Sequence, residues 1–168
     1  LTSLYHWDEA GPWGSRAWPG NCGGNIIRDL LLYFQPKGIV ADVMSGSGTC
    51  KQVCDDLKLP CWSQDIHQGF DACDPQGFGG EDRFAFIWAH PPYWRMKEYS
   101  TDPRDLSRAK TLDDFLLRYG RFFQNSRKSL APGGRLAVLM GDYSDRDAGY
   151  VPLVYHTKRL AFAAGFKQ

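Results

Sequence analysis

The sequence predicts an α/β domain built on an open, mostly parallel sheet. Short apolar segments with the composition of buried strands alternate with segments whose apolar residues recur at helical spacing. The chain has 168 residues, and 43% hydrophobic with 14% aromatic residues argue against disorder. We therefore expect one domain, 1–168, in which helices form right-handed crossovers between parallel strands.

The predicted elements follow one another without an internal repeat. An aromatic-rich N-terminal arm, 1–20, is interrupted by Gly-Pro, Trp-Gly and Pro-Gly pairs and cannot form a long helix. Apolar residues at 26, 27, 30, 31 and 34 predict a helix over 25–34. The stretch 67–83 is too rich in Gly, Asp and Pro for a full helix–strand unit, so an abbreviated crossover is expected there. The other predicted elements are strand 39–43, helix 49–57, strand 61–64, strand 84–89, helix 112–130, strand 135–140 and helix 151–164.

Charge is distributed unevenly, although the formal net charge is only +1. Residues 1–94 carry 6 Lys/Arg and 11 Asp/Glu, residues 95–135 carry 10 and 5, and residues 136–168 carry 4 and 3. Positive charge therefore begins directly after residue 94. Loop residues of this kind can contact phosphates, whereas basic residues on the 112–130 helix are more often a solvated face.

Five cysteines, an odd number, stand in a chain in which no stretch resembles a signal peptide or a membrane span. We expect a reduced, cytoplasmic protein. Cys50 and Cys54 lie one helical turn apart, and Cys61, His67 and Cys73 follow. This spacing matches no common zinc pattern, and small apolar residues on one helix face explain the pair better, so no metal is expected.

Two motifs stand at the carboxyl ends of predicted strands, where parallel sheets bind ligands. Strand 39–43 runs into the turn Met44-Ser45-Gly46-Ser47-Gly48-Thr49, which lets a cofactor approach the backbone. Strand 84–89 ends in His90-Pro91-Pro92-Tyr93, the ledge segment. This ledge is rigid because each proline fixes φ at about −65° and donates no hydrogen bond. A rigid ledge with an aromatic ring suits a flat ligand.

The glycine turn and the next strand favour one class of cofactor. The turn lacks the three-glycine dinucleotide spacing, and no Lys follows Gly48, which disfavours hydride transfer and nucleoside triphosphate hydrolysis. Asp65 stands at the tip of the next strand, where a carboxylate can accept both hydroxyls of a ribose. The pattern favours an adenosine-type cofactor, while a turn without ligand and a solvated strand end stay open as alternatives.

The two motifs resemble those of a known family. Residues 40–49, Val-Ala-Asp-Val-Met-Ser-Gly-Ser-Gly-Thr, resemble the motif Asp-Pro-Phe-x-Gly-Ser-Gly-Thr of S-adenosylmethionine-dependent DNA methyltransferases that modify exocyclic amines. His90-Pro91-Pro92-Tyr93-Trp94 resembles their catalytic Asp/Asn/Ser-Pro-Pro-Tyr/Phe/Trp motif, and residues 130–135 resemble the turn before their fifth strand. The resemblance covers residues 20–142. It implies a Rossmann-like methyltransferase sheet, here abbreviated and lacking the closing strands.

The resemblance implies S-adenosylmethionine as the cofactor. Its methionine end would contact Asp42 and the backbone of 44–48, its ribose Asp65, its adenine Asp71, and residues 19–25 would add a further contact. The implied cofactor set is Asp42, Met44, Ser45, Gly46, Ser47, Gly48, Thr49, Asp65 and Asp71. The implied catalytic set is His90, Pro91, Pro92 and Tyr93, and the expected nucleic-acid contacts are Trp94, Arg95, Lys97, Arg104 and Arg108.

The chemistry of an aromatic amine explains the catalytic motif. Its lone pair is delocalised into the ring, so acceptors that bind the amine as it becomes tetrahedral and cationic promote transfer. By the resemblance, His90 and the Pro91 carbonyl would accept the two N–H groups while Tyr93 stacks on a base swung out of the helix. His90 departs from the family motif. A neutral imidazole accepts through one nitrogen, whereas a protonated one accepts through none.

The expected function is methyl transfer from S-adenosylmethionine to adenine N6 or cytosine N4 of DNA, in a prokaryotic, phage or mobile-element setting. Two alternatives stay open. One is a methyltransferase acting on RNA or on a protein amide, and the other is a non-catalytic cofactor-binding module that regulates a partner. No target-recognition segment is visible, so either a truncated product or a partner chain that supplies recognition is expected.

Overall fold

The centre of the protein is a four-stranded parallel sheet, in a computed structural model that describes residues 6–167. The sheet contains β1 (Ile39–Asp42), β2 (Cys61–Ser63), β3 (Phe84–Ala89) and β4 (Leu130–Val138). Four helices accompany it: α1 (Gly24–Phe34), α2 (Thr49–Asp56), α3 (Leu112–Ser129) and α4 (Leu153–Ala163). An antiparallel ribbon of β5 (Tyr143–Asp145) and β6 (Gly149–Val151) precedes α4.

Side chains that alternate along the strands divide the interior into two hydrophobic cores. On one face Val40, Phe86 and Trp88 pack with α1 and α2. On the other face Ala41 and Ile87 pack with the side of α3 that carries its aromatic residues. These aromatic residues are Phe115, Tyr119, Phe122 and Phe123, all fully buried. Strands covered on both faces are continuously apolar, which accounts for the composition of β3.

The order of the strands places two loops side by side. The sheet runs β2-β1-β3-β4, so the chain leaves β1 through α2 toward one edge and returns to the other side of β1 for β3. The strand order reverses between β1 and β3, and ligands of open α/β sheets bind outside the carboxyl ends of strands at such a point. The glycine turn and the ledge segment begin there.

The α/β class and the mostly parallel sheet predicted from the sequence are confirmed. All the predicted helices and strands are present, with ends that differ by a few residues. The crossover from β2 to β3 is abbreviated as predicted, because it holds one turn of 3-10 helix at Ile66–Gln68 and no α-helix. Within residues 6–167 no fifth strand joins the four-stranded sheet.

Two expectations about the ends of elements need correction, and one element was not predicted. Strand β4 begins at Leu130 rather than at residue 135, because Ala-Pro-Gly-Gly forms an irregularity that shifts its register against β3 instead of a separate turn. The ribbon β5–β6 was not predicted. It occupies the start of the helix predicted over 151–164, so α4 begins at Leu153.

The described part of the N-terminal arm packs against the domain. The Gly24 N–H donates to the Ala10 carbonyl at 3.0 Å, and Trp13 Nε1 donates to Asp56 at 2.7 Å. The first five residues of the predicted arm, 1–5, lie outside the described residues. Within residues 6–167 no helix combines the length and the apolar character that crossing a membrane requires.

We predict that Phe84→Ala destabilises the protein by about 3–5 kcal/mol, because it opens a cavity in a well-packed core. Phe84 is 0% exposed, and its ring stacks on Trp62 with centroids 5.2 Å apart. The matched control is Phe162→Ala on α4, where the ring is 52% exposed and the change should stay within about 0.5 kcal/mol. Urea unfolding followed by circular dichroism measures both, and equal losses would contradict this assignment of the core.

Candidate functional site

A cavity of about 480 Å³ opens at the carboxyl ends of β1 and β3. Three distant parts of the chain meet in its wall: the N-terminal arm, the glycine turn and the ledge segment. The predicted cofactor residues that line it are Asp42, Met44, Ser45, Gly46, Ser47, Thr49, Asp65 and Asp71. The predicted catalytic residues His90, Pro91, Pro92 and Tyr93 line it as well. The structure thus brings the two predicted sets of residues together, with Gly48 alone outside the wall.

Gly46 and Gly48 allow the backbone to turn from β1 into α2. Their φ angles are +49° and +82°, a region that residues with a side chain rarely adopt. A Cβ on Gly46 would lie 2.8 Å from Nε1 of Trp18, whereas a Cβ on Gly48 would meet nothing within 4 Å. Gly46 is therefore required for conformation and for space, and Gly48 for conformation alone.

Asp65 holds the glycine turn from the tip of β2. Its Oδ2 accepts the Gly46 N–H at 2.9 Å, and its Oδ1 accepts the His67 N–H at 3.0 Å. The side chain is buried and lines the cavity. Since an ionised carboxylate has about four acceptor positions, two remain for hydroxyl groups of a ligand.

The N-terminal arm supports the turn from the opposite side. Asn21 Oδ1 accepts hydrogen bonds from Ser47 Oγ at 3.0 Å and from Thr49 Oγ1 at 2.5 Å. Trp18 lies over Gly46, and a Cβ on Gly20 would lie 2.5 Å from Tyr99 Oη in the loop after β3. The arm and that loop therefore meet at the cavity. Sequence reasoning assigned 19–25 to this site but missed Trp18 and Tyr99, for which the aromatic excess of both segments was the available signal.

Asp42 carries a buried carboxyl group that makes no hydrogen bond of normal geometry, through either oxygen, within the described part of the chain. It is 1% exposed. Burial raises the pKa of Asp42 well above its usual range, proximity to Cys61 and Asp65 raises it further, and the Met44 N–H and the Ser63 hydroxyl partly offset this rise. Because a buried charge is costly unless paired, a cationic group of a ligand would be bound favourably here.

His90 and Tyr93 are hydrogen-bonded to each other on the ledge. His90 Nε2 lies 3.2 Å from Tyr93 Oη, and the ring centroids are 5.7 Å apart in an edge-to-face arrangement. Burial lowers the pKa of His90 below its ordinary value, so the imidazole is neutral at pH 7. Burial also raises the pKa of Tyr93, so its hydroxyl keeps its proton.

Gly141, in the loop after β4, packs closely against the Tyr93 ring. A Cβ at this glycine would lie only 2.9 Å from Tyr93 Cε2. Proximity of the Gly141 N–H to the phenol partly offsets the rise in the pKa of Tyr93. Sequence reasoning missed this residue, because its contact with the ledge is made only in the folded chain.

Trp94, for which the sequence suggests either a contact with nucleic acid or a place in the core, lies in the hydrophobic core. It is 5% exposed, and its Nε1 donates to the Ala109 carbonyl at 3.0 Å. Its ring meets Tyr143 edge to face with centroids 5.6 Å apart. A side chain covered on these sides has no face left for a base.

The four basic residues expected to contact phosphates do not form one patch around the cavity. Arg104 alone lines it, and Lys97 is exposed elsewhere on the loop. Three of them form ion pairs with nearby carboxylates: Arg95 with Asp145 at 3.0 Å, Arg104 with Asp102 at 2.6 Å and Arg108 with Glu98 at 2.5 Å. The positive charge of this segment is therefore largely balanced locally.

Cys50, Cys54 and Cys61 converge between α2 and β2, with their Sγ atoms within 4.8 Å of one another. Cys50 and Cys54 pack among the apolar residues of one core, as the spacing along α2 predicted. The neighbouring Cys50 and Cys61 thiols lower the pKa of Cys54. The other two residues considered as ligands, His67 and Cys73, lie outside this cluster.

The arrangement can bind a ligand with three chemical features. A cationic group fits beside Asp42, vicinal hydroxyls fit beside Asp65, and a flat group fits against the aromatic and proline surfaces of the ledge.

A scan against models of known protein families finds no match, and a search of the curated proteins finds none either.

We predict that Asp42→Asn raises the stability of the free protein at pH 7, by about 1–3 kcal/mol. The carboxyl has a raised pKa in the folded state, so its ionisation opposes folding and wild-type stability falls as the pH rises above about 4. The neutral amide does not contribute to this fall. Urea unfolding between pH 4 and pH 8 measures the difference.

Asp105→Asn is the matched control. This aspartate is also buried, but it accepts hydrogen bonds from the N–H and hydroxyl of Ser100 and from the Ser107 N–H. Its substitution should destabilise the protein because an amide replaces an acceptor oxygen with a donor. A loss of stability in both variants would contradict the unpartnered state of Asp42.

Proposed function

We propose that the protein transfers a methyl group from S-adenosylmethionine to an exocyclic amine, adenine N6 or cytosine N4, of DNA. The observation that carries the proposal is that the glycine turn, Asp42, Asp65 and the ledge segment line one cavity at the point of strand reversal. The two segments that resemble the halves of a methyltransferase site therefore share a single space.

The residues of the cavity fit S-adenosylmethionine from end to end. Its ammonium group would give Asp42 the partner that the protein lacks, and its ribose hydroxyls would use the free acceptor positions of Asp65. Asp71, whose Oδ1 accepts the Cys73 N–H at 2.8 Å, has a second oxygen for the adenine amine. When bound, this cofactor supplies an electrophilic methyl group on a sulfonium sulfur.

The ledge segment would bind the amine through acceptors alone. Pro91 and Pro92 have no N–H, so no backbone donor of theirs competes for the incoming amine. The Pro91 carbonyl and the neutral imidazole of His90 accept its N–H groups and stabilise the positive charge that develops on nitrogen. The half-buried ring of Tyr93 offers a surface on which a base can stack.

The local ion pairs are compatible with a nucleic-acid substrate. Exposed pairs of this kind contribute only about 0–1 kcal/mol each, so Arg104 and Arg108 can exchange their carboxylates for a phosphate at little cost. The second candidate is a cofactor-binding module that regulates a partner. It is favoured by His90, which stands where the resembling family has Asp, Asn or Ser.

We predict that Asp65→Ala weakens binding of S-adenosylmethionine about ten- to hundredfold, equivalent to about 1.5–3 kcal/mol. The substitution removes the acceptor for the ribose and also releases the Gly46 N–H. Titration calorimetry measures the dissociation constant. Asp55→Ala, on the exposed side of α2, is the control and should bind as the parent does. A folded Asp65→Ala protein with unchanged affinity would contradict the ribose assignment.

We predict that labelled S-adenosylmethionine transfers its methyl group to DNA and that His90→Ala abolishes most of this transfer. The reason is that alanine removes one of the two acceptors for the amine. His90→Asp and His90→Asn restore an acceptor and should keep or raise turnover. Activity of the parent should fall only below pH 6.5, because burial lowers the pKa of His90 and the neutral form is required.

The measurement uses separate DNA, RNA and protein pools, followed by nucleoside and peptide analysis of the product. If the labelled methyl group appears in RNA or in a protein amide, that molecule and not DNA is the substrate. If the parent and His90→Asp bind the cofactor but label none of the pools, the regulatory module is the better function. If His90→Ala is as active as the parent, the ledge segment does not belong to the catalytic site.

A further inference from the structure

The hydroxyl of Tyr93 has a neighbour that the family motif does not provide. Where Asp or Asn stands before the two prolines, an acceptor oxygen is always present, and Tyr, Phe and Trp are interchangeable three residues later. A neutral imidazole has one acceptor nitrogen and one donor nitrogen. In this chain the group that contacts Nε2 therefore decides whether His90 can accept a hydrogen bond at all.

The relative acidity of the pair indicates which partner donates. A phenol has one O–H donor, and the 3.2 Å contact places it within hydrogen-bond distance of Nε2. The phenol is also more acidic than an imidazole N–H, while the imidazole nitrogen is the more basic acceptor. The favoured bond at 3.2 Å is therefore Tyr93 O–H to His90 Nε2.

This bond leaves His90 without a free acceptor. If Nε2 accepts a hydrogen bond from the Tyr93 hydroxyl, the neutral imidazole carries its own proton on Nδ1. Within residues 6–167 Nδ1 makes no hydrogen bond, and His90 lines the cavity. In this tautomer the imidazole has only a donor left for a ligand, and a donor cannot bind the N–H of an amine.

We propose that the Tyr93 hydroxyl donates an intramolecular hydrogen bond to His90, here called the self-contact, and so competes with the target amine for the lone pair of His90. Methyl transfer requires this hydrogen bond to be replaced or reversed: either the amine takes the place of the Tyr93 hydroxyl at Nε2, or the imidazole proton moves to Nε2, which then donates to Tyr93 and leaves Nδ1 free to accept. A base that stacks on Tyr93 brings its amine against His90, so a flat base can compete with the hydroxyl, whereas an aliphatic amine is not held there. Tyr93 thus acts as a positioning residue that links stacking to acceptor availability, an inference that rests on the proposed function.

The test is Tyr93→Phe, which keeps the ring for stacking and removes only the competing hydroxyl. A net hydrogen bond is worth about 0.5–1.5 kcal/mol, so kcat for DNA methylation should rise about two- to tenfold. The increase in kcat that Tyr93→Phe causes should be at least about twofold larger in the protein with His90 than in the His90→Asn variant. Tyr155→Phe, an exposed tyrosine beside His156 on α4, is the matched control and should leave activity unchanged.

Nitrogen-15 NMR of the His90 ring gives a readout that does not depend on activity. The free protein should show a protonated Nδ1 and a hydrogen-bonded, unprotonated Nε2, and Tyr93→Phe should shift the population toward the other tautomer. A protonated Nε2 in the parent, or an unchanged or lower kcat for Tyr93→Phe with His90, would overturn the inference and leave the proposed function standing. If neither the parent nor His90→Asn methylates a substrate, the proposed function fails, while the NMR result still decides whether the self-contact exists.

Discussion

The parallel pairing of β1 with β3 is the constraint on which the site depends. Asp42 lies opposite Trp88 in this pairing, so the two strands end at nearly the same level of the sheet. Hydrogen bonding of the sheet type continues past β1, because the Ser45 N–H donates to the Gln64 carbonyl at 3.1 Å. The glycine turn therefore begins from a fixed edge. A different order of strands would leave both motifs intact in sequence and separate them in space.

The candidate site contains a buried residue, Asp42, that destabilises the folded protein, whereas a comparable residue outside the glycine turn and the ledge segment, Asp105, stabilises it. Asp42 and Asp105 are both buried aspartates, yet Asp105 has donors on both oxygens and Asp42 has none of normal geometry. The first arrangement holds a loop, and the second leaves a carboxyl group whose ionisation is unfavourable until a cationic ligand pairs with it. Local rules of folding are commonly broken at functional positions and satisfied elsewhere, and this contrast follows that pattern.

The sequence predicts those features that depend on neighbouring residues. The bounds of β3 and the start of α3 are as predicted, because an apolar run and a helical period suffice to define them. The glycine turn is equally local, since the positive φ angles of Gly46 and Gly48 need only the absence of a side chain. The meeting of the two motifs followed from the rule for parallel sheets rather than from any contact visible in the sequence.

Features that depend on distant partners escaped prediction. The burial of Trp94 depends on the Ala109 carbonyl and on Tyr143, and the turn of the ribbon β5–β6 depends on Asp145, which accepts two N–H groups within it. Arg95 links these regions, since it pairs with Asp145 and lies 4.7 Å over the Trp94 ring. Its position beside the ledge was evident from the sequence, but its partners were not. The same arginine thus stabilises the loop in the free protein and stays exposed, so a phosphate would have to compete with Asp145 for a cation that already has a structural role.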